Sequence, residues 1–243
     1  MSAYAANIGM KAHIFTPSST PENKKNQIKI FGSELHLIDG PRENSTLEVK
    51  KFTKSTGITY LSHNYNPFFI EGMKSFGDEV FNEFGPSITD IVIPVGNGSL
   101  LIGVKKAYED LINLKKTQKI PKIHCVQVEG FSPIVNKINN LNWKFNQNST
   151  TLAGGIAVTN PPRINQAVEA VRNTSGSGVE VSEKEIIGWH RKLAKWGILS
   201  EITCAAAMAG TEKLIDVGIL NKNSNVVIPV TGSGLKDIDK VNF

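Results

Sequence analysis

The stretch Ile91-Val-Ile-Pro-Val-Gly-Asn-Gly-Ser-Leu-Leu-Ile-Gly103 predicts a buried strand that runs through a glycine loop into a helix. The apolar run from Ile91 to Val95 is typical of a strand that is covered on both faces. The loop Gly96-Asn-Gly-Ser99 places unpaired N–H groups at the amino terminus of the following helix, where they carry partial positive charge. Glycine lets an anion approach the main chain closely. The stretch therefore predicts a binding site for a phosphorylated cofactor or substrate.

The spacing of the glycines does not match the common nucleotide-binding loops. A dinucleotide-binding loop has the pattern G-x-G-x-x-G, with an acidic residue about 20 positions further on. Here the glycines are Gly96, Gly98 and Gly103, and the acid that ends the next predicted strand is Glu129. A P-loop needs Gly-Lys-Ser/Thr, which does not follow this strand. The loop alone leaves one alternative open, which is a tight strand-to-helix turn that binds no ligand.

Predicted strands and helices alternate along almost the whole chain. Strands are predicted at residues 12–16, 35–38, 58–61, 91–95, 123–128, 179–181 and 226–230, with helical segments between them. Such alternation indicates an α/β fold with parallel sheets covered by helices on both faces. Ligands bind beyond the carboxyl ends of the strands in these sheets. Two glycine loops follow predicted strands, one at Gly96 and one at Thr231-Gly-Ser-Gly234, and we expect them to contribute to one site.

Two segments carry the pattern of a capping box, in which a serine and a glutamate three residues later cap a helix. These segments are Ser45-Thr-Leu-Glu48 and Ser182-Glu-Lys-Glu185. Each is predicted to begin a helix, the first ending near Gly57 and the second reaching Trp196. Asn66-Pro67 predicts the start of a further helix that ends near residue 85.

Composition indicates a soluble globular protein. The 243 residues are 40% hydrophobic and 20% charged, with a net charge of +5. The lysines are scattered, with no basic stripe interleaved with aromatic residues, so no nucleic-acid partner is predicted. Cys125 and Cys204 show no metal-ligand spacing, and no metal site is predicted. The lack of a membrane-spanning apolar run and of a signal-peptide pattern predicts no membrane partner and a cytoplasmic location.

Five segments together resemble the threonine synthases, notably those of the archaeal type. These enzymes belong to the pyridoxal-phosphate-dependent enzymes of the tryptophan-synthase β fold, which is fold type II. The resemblance covers the whole chain, with the motifs in the family's order. The segments are residues 16–32, 94–103 (Pro94-Val-Gly-Asn-Gly-Ser-Leu-Leu-Ile-Gly103), 155–161, 199–207 and 231–237 (Thr231-Gly-Ser-Gly-Leu-Lys-Asp237).

The resemblance implies pyridoxal 5'-phosphate as cofactor and assigns residues to it. Its phosphate is expected to bind, mainly through backbone N–H groups, at Gly96, Asn97, Gly98, Ser99 and Leu100. Thr231 is expected to hydrogen-bond the pyridine nitrogen, and Glu201 matches a family glutamate near the ring, although a solvated loop acid is the alternative. Leu100 stands where the family more often has a polar residue. Ile202 and Cys204 stand where the family has Pro and Ser.

The resemblance also implies that the lysine that forms the family's Schiff base with the cofactor lies upstream of this chain. No catalytic residue is therefore assigned, and Lys74 is interpreted as a structural helix lysine. The expected architecture is the two-domain fold of type II, truncated at the amino terminus. Residues 1–62 would form the remaining part of the small cofactor domain, and residues 63–243 the large domain.

The function implied is that of a threonine-synthase-like lyase, which converts O-phospho-L-homoserine and water into threonine and phosphate. Without the lysine, the chain is expected to be inactive alone, and a separately encoded amino-terminal fragment or a second copy is the expected partner. Sister activities stay open as alternatives, namely cysteate synthesis and threonine or serine deamination. A non-catalytic remnant or partner subunit is the alternative outside the enzymes, and a nucleotide-binding module ranks last.

Overall fold

The computed structural model describes residues 1–40 and 42–236, and the chain divides into two compact units, Met1–Leu61 and Ser62–Phe243. The first unit ends one residue before the boundary predicted from the sequence. The assignment of the two parts to a small cofactor domain and a large domain stays a prediction. The end of the last resembling motif, Asp237, lies outside the described residues.

The first unit combines three helices with a two-stranded parallel sheet. Its elements are α1 (Ser2–Asn7), β1 (His13–Pro17), α2 (Glu22–Ile30), β2 (Glu34–Ile38) and α3 (Arg42–Thr56). In the sheet, His13 lies opposite Glu34 and Pro17 lies opposite Ile38. The helix α2 makes the crossover that two parallel strands require, because a tight hairpin can join only antiparallel ones.

Two local predictions in this unit are wrong. Residues 58–61 form no strand, because among the described residues of this unit only β1 and β2 pair with each other. An apolar run becomes a strand only where a neighbouring strand accepts its hydrogen bonds. The capping box at Ser45 is also wrong, since α3 begins at Arg42 and Ser45 lies inside its first turns. Its hydroxyl is buried and has no hydrogen-bond partner among the described residues.

The second unit continues the alternation predicted from the sequence. Its elements are α4 (Pro67–Phe84), β3 (Asp90–Pro94), α5 (Ser99–Asn113), β4 (Lys122–Val128), α6 (Pro133–Ile138), α7 (Ile164–Asn173), β5 (Gly178–Val181), α8 (Glu183–Lys195), α9 (Ile202–Asp216) and β6 (Val226–Val227). Short 3₁₀ turns follow α4 and the last strand, at Gly85–Ser87 and Gly234–Lys236. None of the helices in the described part of the chain is long and apolar enough to cross a membrane.

The four strands of the second unit form a parallel sheet in the order β5-β4-β3-β6. From β3 the chain moves outward to β4 and β5, and then returns to place β6 on the other side of β3. Ile91 of β3 pairs with Ile123 of β4 and with Val227 of β6. The reversal makes the gap between β3 and β6 a topological switch point, and ligands bind at such points beyond the carboxyl ends of the strands.

Helices cover both faces of this sheet. Ile91 and Ile93 pack into a core that includes residues of α4, α5 and α7. Val92 points to the opposite face, into a core that includes residues of α8 and α9. All three side chains are 0% exposed, and each such burial stabilises the fold by about 1.5–3 kcal/mol. The α/β class predicted from the sequence is confirmed.

The second predicted capping box begins α8. Ser182 Oγ accepts a hydrogen bond from the Glu185 N–H, and Glu185 Oε2 accepts one from the Ser182 N–H over 2.6 Å. Two orphan amides at the helix start are thereby satisfied. The Asn66 side chain caps α4 in a similar way, by accepting a hydrogen bond from the Phe68 N–H.

Candidate functional site

The glycine loop predicted from the sequence lies at the carboxyl end of β3 and leads into α5. Gly98 is the N-cap of this 15-residue helix and has left-handed backbone angles, φ 86° and ψ 2°. The Ile102 N–H bonds the Gly98 carbonyl over 2.9 Å. The N–H groups of Ser99 and Leu100 therefore precede the helical ladder and have no acceptor within the helix. With the helix dipole behind them, these groups suit an anion.

Packing also requires glycine at two positions of the loop. A Cβ atom at Gly96 would lie 2.9 Å from the Gly155 carbonyl oxygen and 3.2 Å from Val158 Cγ2. A Cβ atom at Gly98 would lie 2.9 Å from Ala167 Cβ, and the positive φ strains any other residue there. The close packing by itself accounts for both glycines. The feature that indicates a ligand is therefore the set of unpaired amides at the start of α5, and not the glycines.

Leu100 contributes to the loop through its main chain. Its side chain packs against the core beneath α5. Its N–H group, which the side chain does not affect, is the donor that Leu100 offers to an anion. Asn97 and Ser99 are partly exposed, and the Ser99 hydroxyl stands at the first position of the helix.

The second glycine loop follows β6 and docks on the segment that precedes α9. The Glu201 N–H donates to the Gly232 carbonyl over 2.9 Å, and the Gly234 N–H donates to the Leu199 carbonyl over 3.0 Å. Ser233 forms a bridge with Ser200. These bonds fix the turn against the start of α9, at the same edge of the sheet as the first loop.

Thr231 opens this turn and contacts Cys204 of α9. Its Oγ1 lies 3.4 Å from Cys204 Sγ, and the same sulfur lies 3.7 Å from the Gly232 carbonyl oxygen. Cys204 is 1% exposed, whereas Thr231 is exposed. The buried thiol therefore contacts the Thr231 hydroxyl from the protein interior, while the threonine residue as a whole is exposed.

Glu201 is the N-cap residue of α9, but its side chain makes no capping hydrogen bond. Its carboxylate lies against Gly232, where any Cβ atom would collide with it. The structure thus places Glu201 beside the turn that carries Thr231. Whether it meets the cofactor ring stays a prediction.

A third segment lies between the glycine loop and the start of α9. The Gly155 carbonyl oxygen touches Gly96, and a Cβ atom at Gly155 would lie 2.8 Å from Thr203 Oγ1. Thr203 and Ser200 are buried, and their hydroxyls have no hydrogen-bond partner among the described residues. Buried polar atoms without a partner are costly, so a ligand that bonded either hydroxyl would relieve that cost. The sequence analysis did not single out Thr203, although a hydroxyl next to the alanine run of α9 is the signal that marks it.

Lys74 of α4 forms ion pairs with Glu71 of the same helix and with Asp110 of α5. Its Nζ lies 2.7 Å from Asp110 Oδ2 and 2.6 Å from Glu71 Oε2. Hydrogen bonds to Asp110 and Glu71 raise the pKa of Lys74 above its ordinary value. A protonated amine is not a nucleophile, so these contacts agree with the structural role predicted for Lys74.

A family model described as "Pyridoxal-phosphate dependent enzyme" matches residues 1–232. Threonine synthases are among the curated relatives. That of Methanosarcina acetivorans is 30% identical over 242 residues, which are 98% of this chain and 60% of the relative. That of Bacillus sp. (strain ULM1) is 32% identical over 239 residues, 98% of this chain and 66% of the relative. The chain thus spans about 60–66% of the length of these relatives.

Solved structures show the same fold. A processed form of threonine deaminase isoform 2 from Solanum lycopersicum superposes with a TM-score of 0.81 at 21% identity, over 98% of this chain and 65% of that one. A maize serine racemase superposes with a TM-score of 0.82 at 19% identity, over 98% of this chain and 72% of that one. At such identities the likeness establishes the architecture alone.

Proposed function

The chain belongs to the pyridoxal-phosphate-dependent enzymes, and from this premise we propose that its two loops hold pyridoxal phosphate for a threonine-synthase-like lyase reaction. The glycine loop would bind the phosphate through Gly96, Asn97, Gly98, Ser99 and Leu100. Thr231 would meet the pyridine nitrogen. We choose this reaction because threonine synthases match nearly the whole chain at 28–32% sequence identity.

One observation carries the proposed site, which is the adjacency of the two loops at a switch point. The glycine loop follows β3, the turn of Thr231 follows β6, and these strands are parallel neighbours. Amides without helical acceptors lie at the start of α5, and the hydroxyls of Ser200 and Thr203, at the start of α9, have no partner among the described residues. A ligand with a dianionic end and a polar ring fits such a cradle.

The contact with Cys204 gives Thr231 a defined role toward the ring. A thiol has one proton, which it donates either to the Gly232 carbonyl or to Thr231 Oγ1. Donation to Thr231 leaves the threonine proton for the ring nitrogen. A neutral hydroxyl does not keep that nitrogen protonated as a carboxylate would. Bound pyridoxal phosphate supplies an electron sink for the substrate. A ring whose nitrogen is not kept protonated is a weaker electron sink, and such a ring suits elimination and replacement at an amino acid.

We propose the substrate and the complete activity from the same resemblance to threonine synthases. The substrate would be O-phospho-L-homoserine, and water would be the second reactant. The covalent link to the cofactor would come from a lysine outside the motifs matched here. An amino-terminal segment of the same protein or a separately encoded fragment would supply it. The chain by itself would grip the cofactor without turning over substrate.

Calorimetry with two ligands tests the phosphate grip. Pyridoxal phosphate should bind the purified chain saturably, pyridoxal without the phosphate should bind far more weakly, and inorganic phosphate should compete. Ser99→Ala should weaken binding of pyridoxal phosphate by about twofold to tenfold, the worth of one hydrogen bond. Ser75→Ala, an exposed serine of α4, is the matched control. Equal affinity for pyridoxal and its phosphate would overturn the proposal.

A second assay tests the reaction. The chain with pyridoxal phosphate and O-phospho-L-homoserine should release no phosphate and form no threonine. Addition of an amino-terminal fragment of a related threonine synthase that carries its lysine should restore both products. Turnover by the chain alone would contradict the proposed division of labour.

A further inference from the structure

Three side chains with metal-binding atoms share one face of the two-stranded sheet in the first unit. His13 stands on β1, and Glu34 and His36 stand on β2. In the parallel register His13 lies opposite Glu34, and Phe15 lies opposite His36. Paired residues point to the same face of a sheet, and so do residues two apart along a strand. The two imidazoles and the carboxylate therefore meet on the face that α3 covers.

The closest approaches between the three side chains are similar in length to the edges of a tetrahedral metal site. His13 Nδ1 lies 3.2 Å from His36 Nε2 and 3.5 Å from Glu34 Oε2, and His36 Nε2 lies 3.4 Å from Glu34 Oε1. In a tetrahedral zinc site with bonds of about 2.0–2.1 Å, neighbouring ligand atoms are about 3.3–3.4 Å apart. One ligand atom from each residue can be taken so that all three lie within 4.8 Å of one another. The two histidines approach different oxygens of the Glu34 carboxylate, so a rotation of that carboxylate would bring one oxygen to a shared ion.

Aromatic packing holds the two imidazole rings in place. Phe15 stacks on His36 with ring centroids 4.3 Å apart and an interplanar angle of 7°. Phe52 of α3 packs against both rings, with centroids 4.8 Å from His13 and 5.5 Å from His36. Rings fixed by their neighbours lose little freedom on binding an ion, so the cluster is preorganised.

We propose that His13, Glu34 and His36 bind a divalent transition-metal ion of the zinc class, with the fourth position open to solvent. Two imidazoles and one carboxylate form a donor set that suits zinc, and a set of three protein ligands leaves one position for water. The side chain of Glu34 is 48% exposed and that of His36 is 25% exposed. The ion therefore reaches the site directly from solvent.

Lys11 is the competing cation at this site. Its Nζ lies 3.2 Å from Glu34 Oε2, and its side chain is 73% exposed. Without metal the ammonium group neutralises the carboxylate. With metal bound, its charge repels the ion and the side chain turns out into solvent. Removal of this charge should therefore tighten metal binding, which a plain cluster of hydrogen bonds would not predict.

The bound ion would fasten β1 to β2. A sheet of two strands is marginal by itself, and a metal that joins ligands from both strands adds its binding free energy to their association. The proposal does not depend on the cofactor site, because every residue in it lies within Met1–Leu61. The sequence analysis predicted no metal site, since His13 and His36, which are 23 residues apart, come together only through the strand register.

The test is a titration of the whole chain, freed of metal by dialysis against a chelator, with Zn²⁺ followed by calorimetry. One equivalent should bind saturably, and Co²⁺ should give the visible absorption of a tetrahedral site. Glu34→Gln and His36→Gln should each weaken binding at least about tenfold. His63→Gln, which changes an exposed histidine of the second unit, should leave affinity unchanged. Lys11→Gln should tighten binding severalfold.

Two results would overturn the proposal. One is the absence of binding at one equivalent, and the other is binding that Glu34→Gln leaves unchanged. Circular dichroism of each variant separates lost ligands from lost folding, and the exposed Glu34 decides the question if His36→Gln fails to fold. Zn²⁺ should also raise the melting temperature of the unmodified chain and leave that of Glu34→Gln unchanged.

Discussion

The hydroxyl oxygen of Thr231 lies 3.4 Å from the sulfur of Cys204. This contact ties the turn after β6 to the first turn of α9. The resemblance to the threonine synthases implies that the family has a serine where this chain has Cys204. A thiol is a weaker hydrogen-bond donor than a hydroxyl, so it holds Thr231 while leaving the threonine free to bond elsewhere. The position of the Thr231 hydroxyl in the fold therefore depends on its contact with the buried Cys204.

Replacement of this thiol should affect cofactor affinity. Cys204→Ala removes the partner of Thr231, and we expect pyridoxal phosphate to bind about twofold to tenfold more weakly, as measured by fluorescence titration. Cys204→Ser restores a donor and should restore the affinity. Cys125→Ala is the control, because Cys125 lies buried in β4, in the core that includes residues of α4, α5 and α7. It should lower stability and leave the affinity unchanged, and an equal effect of both alanine variants on affinity would refute the link to Thr231.

Gly98→Ala should damage the glycine loop. The left-handed backbone costs a non-glycine residue about 1–2 kcal/mol, and the new methyl group would lie 2.9 Å from Ala167 Cβ. We expect a lower melting temperature together with weaker binding of pyridoxal phosphate. Thermal melts with and without the cofactor measure both effects.

Gly72→Ala is the matched control for this change. Gly72 lies inside α4, and a Cβ atom there would meet nothing within 4 Å. Alanine should stabilise the helix by about 0.5–1 kcal/mol and leave cofactor binding unchanged. If Gly98→Ala behaved like Gly72→Ala, the loop would not have the strained geometry described above.

The buried pair His124 and Asp90 should make stability depend on pH. His124 Nε2 lies 2.9 Å from Asp90 Oδ1, and Nδ1 accepts a hydrogen bond from the Ser177 N–H over 3.1 Å. The ring is therefore neutral in the folded state, and protonation of Nδ1 breaks the bond to Ser177. Burial lowers the pKa of His124, against the opposing effect of the hydrogen bond to Asp90.

A lowered folded-state pKa means that the unfolded chain takes up a proton first, near its ordinary pKa of about 6.5. The stabilisation is then complete above that pH and is lost as the pH falls through the folded-state value. Urea unfolding between about pH 8 and pH 5 should show this decline. His124→Gln keeps a donor toward Asp90 and should flatten the decline, whereas His63→Gln should not. An unchanged slope in His124→Gln would contradict this assignment.

The two capping-box patterns predict opposite results for the same substitution. Ser182→Ala removes the cap of α8 and should cost about 0.5–2 kcal/mol of unfolding free energy. Ser45→Ala should be neutral or slightly stabilising, because the Ser45 hydroxyl is buried without a partner and alanine favours a helix. Chemical denaturation of the two variants measures the difference. A loss at Ser45 equal to that at Ser182 would show that both serines act as caps.

The same pair shows how far sequence reasoning extends. Both patterns read S-x-x-E, yet only Ser182 begins a helix, because α3 starts at Arg42 and runs through Ser45. Local patterns predicted the alternation of strands and helices, the glycine loop and the start of α4. They failed where the outcome depends on a partner elsewhere in the chain, as at residues 58–61.

Contacts between distant segments could not be predicted from the sequence, because they too depend on partners elsewhere in the chain. Thr231 and Cys204 are 27 residues apart, and only the docking of the β6 turn on α9 brings them together. The cluster of His13, Glu34 and His36 depends on the register of β1 against β2. A slip of one residue would send the paired side chains to opposite faces of the sheet.

The most direct test of the central claim is an absorbance titration of the purified chain with pyridoxal phosphate, followed by borohydride reduction and peptide mapping. The account predicts a saturable complex without the band at roughly 410–430 nm that a covalent link to lysine gives, and no labelled lysine. The cradle would then grip the cofactor while the covalent lysine belongs to another segment. Absence of saturable binding, or labelling of a single lysine in this chain, would contradict the account.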